Sequence, residues 1–441
     1  MHKNLGVLGL GKSGIAAANL GVELGYNVFA SDAGKKREIK ELSKRVDTEF
    51  GKHSDRILNS DIIVKSPGIN SDIPILKKAF IKKIDVLSEL AFSLKNSKYK
   101  KIIAVTGTNG KTTTTDLTAR ILKSVYKDSI LVGNIGIPLA NMALKTSKDT
   151  YITMELSSYQ LDDTPDFKPE ISVLLNIAQD HLEHHKTMEA YIEAKKNIFI
   201  NQKHSDFAVL NYDNRICREM GAEVKADLIY FSKNVLNRGV FYKNGKIIID
   251  ICKNHFEIKP KINIVGSHNI ENILAATAAA YVAGVNPKDI EKVISNYGGM
   301  EHRIEFVAAV KGVNYYNDSK STNIDSARVA LESFCGNVLI IMGGRDKGFP
   351  YLSLRKLVKE KVKAVFLIGE ASDKIKNDLA GTTQFYNCGN MESAVNKVFE
   401  IASPGDTVLL SPACASFDQF KNFEERGDAF KYLVKELEAI V

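Results

Sequence analysis

The sequence predicts an α/β protein of three domains, in which two Rossmann-like parallel-sheet domains flank a central P-loop ATPase domain with a small antiparallel addition. Its length of 441 residues suggests three domains at roughly 150 residues each. Short apolar segments alternate with helical segments along the chain, as is typical of parallel sheets. Glycine-rich turns follow the predicted strands near residues 8 and 105. We therefore place the domains at residues 1–92, 93–298 and 299–441.

The composition argues against several classes of function. Hydrophobic residues make up 44% and charged residues 25% of the chain, which is ordinary for a globular protein. The net charge of +8 is spread over lysine-rich segments such as residues 35–45, which we expect to be solvated helix faces and not a nucleic-acid site. The five cysteines have no short paired spacing, so neither disulfides nor a zinc knuckle are indicated. With no signal peptide and no apolar stretch of roughly 20 residues, we expect a cytoplasmic protein outside the membrane.

The first domain begins with strands near Gly6, Val28 and Ile62. Its first turn, at residues 9–14, reads G-x-G-x-x-G between strand and helix, and Asp32 ends the next strand. This pattern is close to the dinucleotide-binding fingerprint, in which the acid accepts ribose hydroxyls. By itself it favours an NAD-dependent dehydrogenase, although the same loop can bind any nucleotide diphosphate. Ser66 follows the third strand, either in a ligand-binding turn or in a plain proline turn.

The central domain carries a phosphate-binding sequence at residues 103–115. A strand should end near Val105, after which Gly107 and Gly110 allow backbone N–H groups to converge on one point. Lys111 adds a cation there, and Thr112 or Thr113 can offer a hydroxyl to a magnesium ion. The sequence departs from the P-loop motif in having Val105 where that motif has a glycine.

Candidate metal ligands follow two further strands of this domain, predicted at residues 151–156 and 171–177. Glu155 is placed either to hold magnesium against a triphosphate or to cap a helix. Residues 176–185 contain two acids and three histidines, of which Asp180 and His181 are the first candidates for magnesium. The last two histidines of this segment are expected to face solvent. Two more strands, a hairpin with an Asn-Gly turn at residues 244–245 and an alanine-rich helix at 269–283 complete the domain.

A helix predicted over residues 187–200 carries Lys195 at helical spacing from Tyr191, Ile192 and Phe199. This spacing allows the lysine to point inward, although a snorkelling lysine is the simpler interpretation. Carbamylation would turn a buried amine into an anionic ligand, which the residues alone do not show.

The third domain should be another doubly wound sheet, with strands near Tyr315, Leu339, Phe366, Phe385 and Val408. Loops close to the boundary with the central domain carry polar residues at 301–305 and 317–323, and loops after strands carry them at 343–348 and 409–423. Cations and a carboxylate in such loops suit a triphosphate and its ribose, and the hydroxyls of the last loop suit a small carboxylate. Their shared position after strands supports a joint site.

Among other classes of function, a dehydrogenase leaves the central loop and the candidate metal ligands without a role. A regulatory nucleotide switch needs an Asn-Lys-x-Asp segment, which is absent.

Motifs of one known family occur in the central loop and in residues 133–138, 155–160, 180–184, 266–272, 302–303, 317–323 and 411–427. On these segments, and across essentially all 441 residues, the chain resembles the Mur ligases, and most closely the members that add D-glutamate. The folylpolyglutamate-type ligases share the ATP-binding and C-terminal parts but do not need the first domain. The diaminopimelate-adding type carries Asp-Asn-Pro-Arg, which is absent.

The resemblance implies a reaction in peptidoglycan precursor synthesis. ATP would phosphorylate the alanine carboxylate of UDP-N-acetylmuramoyl-L-alanine, and the amine of D-glutamate would attack the acyl phosphate to give an amide, ADP and phosphate. The implied cofactors are ATP, two Mg²⁺ ions and a carbamylated Lys195, and we expect the enzyme to act as a monomer.

The resemblance also implies roles for individual residues. Lys111, Glu155, His181 and Lys195 would be catalytic, with Thr112 and Glu155 binding one magnesium ion and His181 and Lys195 the second. The implied ATP-binding residues are Gly107, Thr108, Asn109, Gly110, Lys111, Thr112, Thr113, Thr114, Asn269, Asn272, Arg303, Asp318 and Lys320. The implied contacts of the UDP-linked substrate are Lys12, Ser13, Asp32, Ser66, Asn134, Ser157 and Gln160. The implied D-glutamate contacts are Thr322, Lys347, Ser416 and Phe423.

Two segments depart from the family pattern. Ala33 and Gly34 stand where relatives have a hydroxyl and an arginine, so the uridine contacts are expected to differ. Arg345 and Asp346 lie in a variable part of the loop that contains Lys347.

Overall fold

The computed structural model describes residues 3–134, 136–178, 185–251, 253–346, 348 and 350–440. The chain divides into two compact units. The first comprises Met1–Pro260 with Ile270–Ile294, and the second comprises Lys261–Asn269 with Ser295–Val441. The first unit contains two sheets and the second contains one, so the three predicted α/β sheets are confirmed.

The first sheet is entirely parallel, with strand order β3-β2-β1-β4-β5. Its strands are β1 Asn4–Leu8, β2 Asn27–Asp32, β3 Asp47–Phe50, β4 Ile62–Lys65 and β5 Asp85–Ser88. The helices are α1 Lys12–Glu23, α2 Pro74–Ile81 and α3 Glu89–Lys95. The two edge strands β3 and β5 are short and partly exposed, so their apolar pattern is weak in the sequence.

The helix expected at residues 35–45 is absent, and this prediction was wrong. The segment is irregular. Its apolar residues Ile39 and Leu42 pack against the core of the first sheet, and Arg37 donates to the Leu10 carbonyl. Tertiary contacts therefore override the helix propensity of the lysines.

The second sheet has the order β14-β13-β12-β11-β10-β9-β6-β8-β7. Its strands are β6 Lys101–Thr106, β7 Ser129–Gly133, β8 Tyr151–Glu155, β9 Ile171–Leu174, β10 Phe207–Asn211, β11 Asp227–Ser232, β12 Gly239–Lys243, β13 Lys246–Ile251 and β14 Asn254–Ile258. The helices are α4 Lys111–Val125, α5 Ser158–Asp162, α6 Met188–Lys196, α7 Arg215–Met220, α8 Ser267–Val282 and α9 Pro287–Ser295.

The antiparallel addition lies at one edge of this sheet. β12 and β13 form the expected hairpin, with Asn244 and Gly245 both at positive φ in its turn, as a type I′ turn requires. β14, which was not predicted, pairs antiparallel with β13. The alanines of α8 are buried, as expected.

The first two sheets are joined within one unit by buried polar contacts. Lys65 Nζ lies 2.7 Å from the Asp163 carboxylate, with both side chains largely buried. The hydroxyls of Ser88 and Thr164 are 2.6 Å apart. Glu89 accepts a bond of 2.9 Å from the N–H of Ala140. These contacts fix the first domain against the central one.

The third sheet has the order β15-β16-β20-β17-β18-β19 and is parallel except for the β15–β16 pair. Its strands are β15 Glu305–Val310, β16 Val313–Asn317, β17 Val338–Gly343, β18 Val362–Ile368, β19 Gln384–Gly389 and β20 Thr407–Leu410. Its helices are α10 Ile324–Glu332, α11 Arg355–Lys361, α12 Ser372–Asp378, α13 Met391–Ile401 and α14 Phe423–Ile440. The predicted polar loops after β16, β17 and β20 are neighbours, because these three strands are adjacent. Among the described helices, none combines the length and apolar character that crossing a bilayer would require.

Candidate active site

The central glycine loop connects the end of β6 to the start of α4, as the sequence predicts. Gly107 and Gly110 have φ values of 154° and 82°, which suit glycine far better than other residues. Lys111 begins the helix, and its Nζ donates to the carbonyls of Gly107 and Thr108 at 3.0 and 2.8 Å. The ammonium group therefore lies over the loop, where a phosphate would need it. Thr112 and Thr113 are partly exposed in the first helical turn.

Asn176, which follows β9, holds this loop in place. Its side-chain oxygen accepts from the N–H of Asn109 at 2.8 Å, and its amide donates to the carbonyl of Asn109 at 3.1 Å. Its backbone carbonyl also accepts from the N–H of Thr108. No role was assigned to Asn176 from the sequence, although its position just after a strand beside β6 was a usable signal.

Asn272, on α8, closes the other side of the loop. The hydroxyl of Thr114 lies 3.3 Å from its side-chain oxygen. A β-carbon added at Gly110 would lie 2.2 Å from the same oxygen. The structure thus brings Asn272 to the glycine loop. Asn269, one turn earlier on the same helix, donates from its side-chain amide to the Val265 carbonyl.

Glu155 is the last residue of β8 and pairs in register with Val105, just before the glycine loop. Its side chain is buried. One carboxylate oxygen accepts from the Asn134 amide at 2.8 Å, and the other has no hydrogen-bond partner among the described residues. A buried carboxylate oxygen without a hydrogen-bond partner lowers the stability of the fold unless a bound ligand supplies the missing contact. Glu155 does not cap a helix, so that alternative was wrong.

Ser157 performs the capping instead. It accepts from the N–H of Gln160, while the Gln160 side chain accepts from the N–H of Ser157. This capping box begins α5. Both residues were predicted to contact substrate, and the structure shows that each also has a local structural role.

Lys195 is buried and does not snorkel, so the simpler interpretation of the sequence was wrong. Its Nζ donates to the Gly107 carbonyl at 2.9 Å and lies 3.3 Å from the Thr106 hydroxyl. It also lies 4.8 Å from the ring centroid of Tyr191. The inward orientation allowed by the helical spacing is therefore correct, and it places this amine beside the glycine loop.

His185 is also buried, contrary to expectation, and its Nε2 lies 2.9 Å from the Ser158 hydroxyl. Asp180, His181 and His184 lie outside the described residues, so the prediction of a metal ligand at His181 stands as a prediction.

In the first domain, the glycine turn at residues 9–14 lies between β1 and α1 as predicted. Asp32 accepts from the N–H groups of Leu10 and Gly34 at 2.7 and 2.8 Å, and Arg37 lies 3.4 Å away. Burial alone would raise the pKa of Asp32, but these two N–H groups and Arg37 together hold it below its usual value. The carboxylate therefore remains charged and braces the turn itself.

Three other residues predicted to contact the UDP-linked substrate lie near the same turn. Lys12 and Ser13 begin α1, with Lys12 exposed and Ser13 partly buried. The Ser66 hydroxyl donates to the Gly9 carbonyl at 3.1 Å. The structure thus brings Ser66 and Asp32 to one loop.

In the second unit, Asp318 follows β16 and is almost fully buried. Its two carboxylate oxygens accept from the Ser411 hydroxyl at 2.8 Å and from the N–H of Ile304 at 3.3 Å. Burial raises the pKa of Asp318 to about 7, although these hydrogen bonds and the charge of Arg303 oppose the shift. Asp318 is therefore bonded directly to the loop after β20.

Four further predicted residues of this unit lie on the loops after β16 and β20 or at the start of α14, and Arg303 lies just before β15. Lys320 Nζ is 5.9 Å from the ring centroid of Phe423, the first residue of α14. Ser416 is buried, and its carbonyl accepts from the N–H of Phe420. Thr322 lies in the loop after β16, with its N–H bonded to the Lys320 carbonyl. Lys347 lies outside the described residues.

Arg426, which lies in the resembling segment 411–427 but was given no role from the sequence, connects these loops. It is buried with 1% of its surface exposed and donates to the Ser319 and Cys414 carbonyls. A buried arginine is unusual, but burial is not visible in the sequence.

A glycine loop between a strand and a helix, with a lysine at the helix start and a buried acid at the end of the neighbouring strand, is typical of nucleotide-using α/β enzymes. Three family models cover most of the chain: the MurD-like N-terminal domain of Mur ligases at residues 3–88, the Mur ligase middle domain at 105–280, and the Mur ligase glutamate ligase domain at 302–414. Together with the relatives described next, these matches show that the chain belongs to the Mur ligase family. The matched ranges fall inside the predicted domains, whose exact boundaries remain predictions.

Two curated relatives match nearly the whole chain. A UDP-N-acetylmuramoylalanine–D-glutamate ligase from Elusimicrobium minutum is 43% identical over 98% of this chain and 97% of its own length. A ligase of the same name from Koribacter versatilis is 42% identical over 99% and 98%. The solved structure of a UDP-N-acetylmuramate–alanine ligase from Thermotoga maritima has a TM-score of 0.58 at 18% identity, covering 100% of both chains. This last likeness shows a shared fold.

Proposed function

We propose that this protein is an ATP-dependent ligase that joins D-glutamate to UDP-N-acetylmuramoyl-L-alanine and releases ADP and phosphate. The ATP-dependent part of this proposal rests on one pairing: the loop that carries Lys111 lies beside Glu155. The second carboxylate oxygen of Glu155 has no hydrogen-bond partner among the described residues. The two substrates are proposed from the names of relatives that are 42–43% identical over nearly the full chain. A dehydrogenase would leave this pairing unexplained.

The arrangement around Glu155 fits a magnesium ion. Magnesium prefers oxygen ligands, and the partnerless carboxylate oxygen is a donor of this kind. We propose that Thr112 and Glu155 hold one ion, and that His181 and a carbamylated Lys195 hold a second. Bound magnesium supplies charge neutralisation on the phosphates during transfer. Glu155→Gln should therefore raise the magnesium concentration needed for half-maximal ATP binding, whereas Glu193→Gln, at an exposed position of α6, should not.

The surroundings of Lys195 are compatible with carbamylation. The carbamate keeps one N–H, which can still donate to the Gly107 carbonyl, and gains two oxygens. Labelled carbon dioxide should give a carbamate ¹³C signal in the wild type that is lost in Lys195→Arg. Enzyme depleted of bicarbonate should regain activity when carbon dioxide is added. A spectrum identical in both proteins would remove Lys195 from the proposed metal site.

The reaction proceeds in two displacements. A carboxylate oxygen of the alanine attacks the γ-phosphorus, the bond to the bridging oxygen breaks, and ADP leaves. The amine nitrogen of D-glutamate then attacks the acyl carbon, loses a proton, and displaces phosphate as the carbon–oxygen bond breaks. Lys111 binds the β and γ phosphates, and its ammonium group stabilises the charge that moves to the β phosphate. Positioning of the reactants contributes on the order of 7 kcal/mol to such reactions.

The other residue roles are proposed from the family resemblance. Residues Gly107–Thr114 and Asn272 of the first unit and Asn269, Arg303, Asp318 and Lys320 of the second are proposed to bind ATP. Lys12, Ser13, Asp32, Ser66, Asn134, Ser157 and Gln160 are proposed for the UDP-linked substrate. Thr322, Lys347, Ser416 and Phe423 are proposed for D-glutamate.

The decisive experiment measures phosphate release with ATP and UDP-N-acetylmuramoyl-L-alanine while the amino acid is varied. We expect release with D-glutamate and little with L-glutamate, L-lysine or diaminopimelate. Equal release with another amino acid would refute the proposed substrate.

The role of the central loop is tested separately. Lys111→Ala should abolish ADP formation because it removes the only cation that the described glycine loop itself carries. Lys123→Ala, at an exposed position of the same helix, is the matched control. Near-normal turnover in Lys111→Ala would show that this loop is not the ATP site.

A cytoplasmic location and a monomeric state complete the proposal. ATP consumption supports the location, and the proposed ligands of each substrate all belong to one chain. Light scattering of the active enzyme would reveal any stable oligomer.

A further inference from the structure

Arg426 lies on α14, and its guanidinium group makes hydrogen bonds to two separate loops. Its Nε donates to the Ser319 hydroxyl at 3.0 Å, and one terminal nitrogen donates to the Ser319 carbonyl at 2.9 Å. Both terminal nitrogens donate to the Cys414 carbonyl at 3.1 Å. The Ser319 hydroxyl donates onward to the carbonyl of Phe423 at 2.8 Å. One side chain thus joins the loop after β16, the loop after β20 and the start of α14.

The surrounding backbone is shaped around this side chain. Gly344 has a φ of 129°, and a β-carbon there would lie 2.3 Å from the Ala415 carbonyl and 3.1 Å from an Arg426 terminal nitrogen. Ala413, next to Cys414, adopts a positive φ of 57°, which is unfavourable for a residue other than glycine. The guanidinium therefore holds a loop whose backbone conformation is strained.

The electrostatics of Arg426 are equally unusual. It forms no salt bridge with any described residue, and the carboxylates of Asp318 and Asp418 influence it only through their charges. Burial lowers the pKa of Arg426 to about 10, so it remains charged at neutral pH. A buried charge whose partners are a hydroxyl and carbonyls, and not an opposite charge, lowers the free energy of unfolding. We therefore infer that Arg426 has a role other than stabilising the fold.

We propose that Arg426 is a positioning residue for substrate binding, which sets the loop of Lys320 and Thr322 against the loop of Ser416. This inference rests on the proposed function, because the first loop is proposed to contact γ-phosphate and D-glutamate and the second to contact D-glutamate. Lysine cannot replace arginine here, because its single ammonium lacks the planar fork that reaches both loops.

The test compares Arg426→Lys, which keeps the charge, with Lys435→Met, an exposed position on the same helix. We expect Arg426→Lys to raise the KM for D-glutamate by about tenfold or more, since small displacements of binding groups are costly. The KM for UDP-N-acetylmuramoyl-L-alanine, whose proposed contacts lie in the first unit, should stay within about twofold of the wild-type value. A purely structural role would lower the melting temperature and the active fraction without separating the two KM values, and that result would overturn the proposal.

A second measurement does not depend on activity. Amide hydrogen exchange should become faster in residues 317–323 and 411–417 of Arg426→Lys and stay unchanged in Lys435→Met. Unchanged exchange in both loops would refute the positioning role even if wild-type enzyme failed to use D-glutamate. Failure of the wild type with D-glutamate, together with faster exchange in the variant, would instead refute only the proposed substrate.

Discussion

Replacing Asp318 by asparagine should stabilise the protein at neutral pH. The carboxyl group is buried, and burial raises its pKa from 3.8 to about 7. The folded protein therefore holds this proton more tightly than the unfolded chain does. The stabilisation of the folded state that comes from this tightly held proton is fully present below about pH 4, and it is lost as the pH rises through about 7. Between pH 5 and pH 8 the wild type should lose about 2 to 3 kcal/mol of unfolding free energy from this group alone.

Asparagine has no such titration, so the variant should show a flatter dependence of stability on pH. We would measure thermal or urea-induced unfolding of both proteins from pH 5 to pH 8. Subtracting the free energy of unfolding of one protein from that of the other at each pH cancels the contribution of other titrating groups, because both proteins share them. The Asp318→Asn variant should also lose ATP-dependent activity if the proposed ribose and phosphate contacts need the charge. Parallel pH curves for the two proteins, or a variant less stable than the wild type at pH 8, would refute the reasoning.

Two further substitutions test the glycine loop and the contact between the first two sheets. Gly110→Ala should strongly weaken ATP binding, because its β-carbon would lie 2.2 Å from the side-chain oxygen of Asn272 on α8. Gly51→Ala is the control, because Gly51 has a similar φ of 85° but open space around it. Equal effects of the two substitutions on ATP binding would show that the clash is irrelevant. Lys65→Met should cost about 3 to 5 kcal/mol of unfolding free energy, because it breaks a buried ion pair. The double variant Lys65→Met, Asp163→Leu should cost clearly less in urea unfolding, and purely additive costs would contradict the pairing.

Much of the fold was predictable because its signals are local. The turn at residues 9–14 and the loop from Gly107 to Lys111 each need glycines between an apolar strand and a helix, and both occur where predicted. Most strands with full apolar runs were also predicted, although β7 and β15 were not. Short or partly exposed strands such as β3, β5 and β14 were missed, because few of their side chains are buried.

Other residues were misjudged because their environment is set by distant parts of the chain. Lys195 and His185 are polar residues on or near a helix, and their polarity suggested exposure. They are buried because α6 packs against α5 and beside the glycine loop. Ser158, at the start of α5, is the partner of His185, and the Gly107 carbonyl accepts from Lys195. Likewise, the lysines at 35–45 predicted a helix that packing of Ile39 and Leu42 prevents.

The sequence by itself determined the class of fold, the glycine loop and the motifs that resemble the Mur ligases, because these depend on short-range spacing. Only the tertiary structure decided that Asn176 and Asn272 hold that loop, that Glu155 keeps a buried oxygen without a protein partner among the described residues, and that Arg426 joins two loops. Such contacts join residues up to 158 positions apart. Their geometry follows from the order of strands in a sheet, which no local pattern encodes.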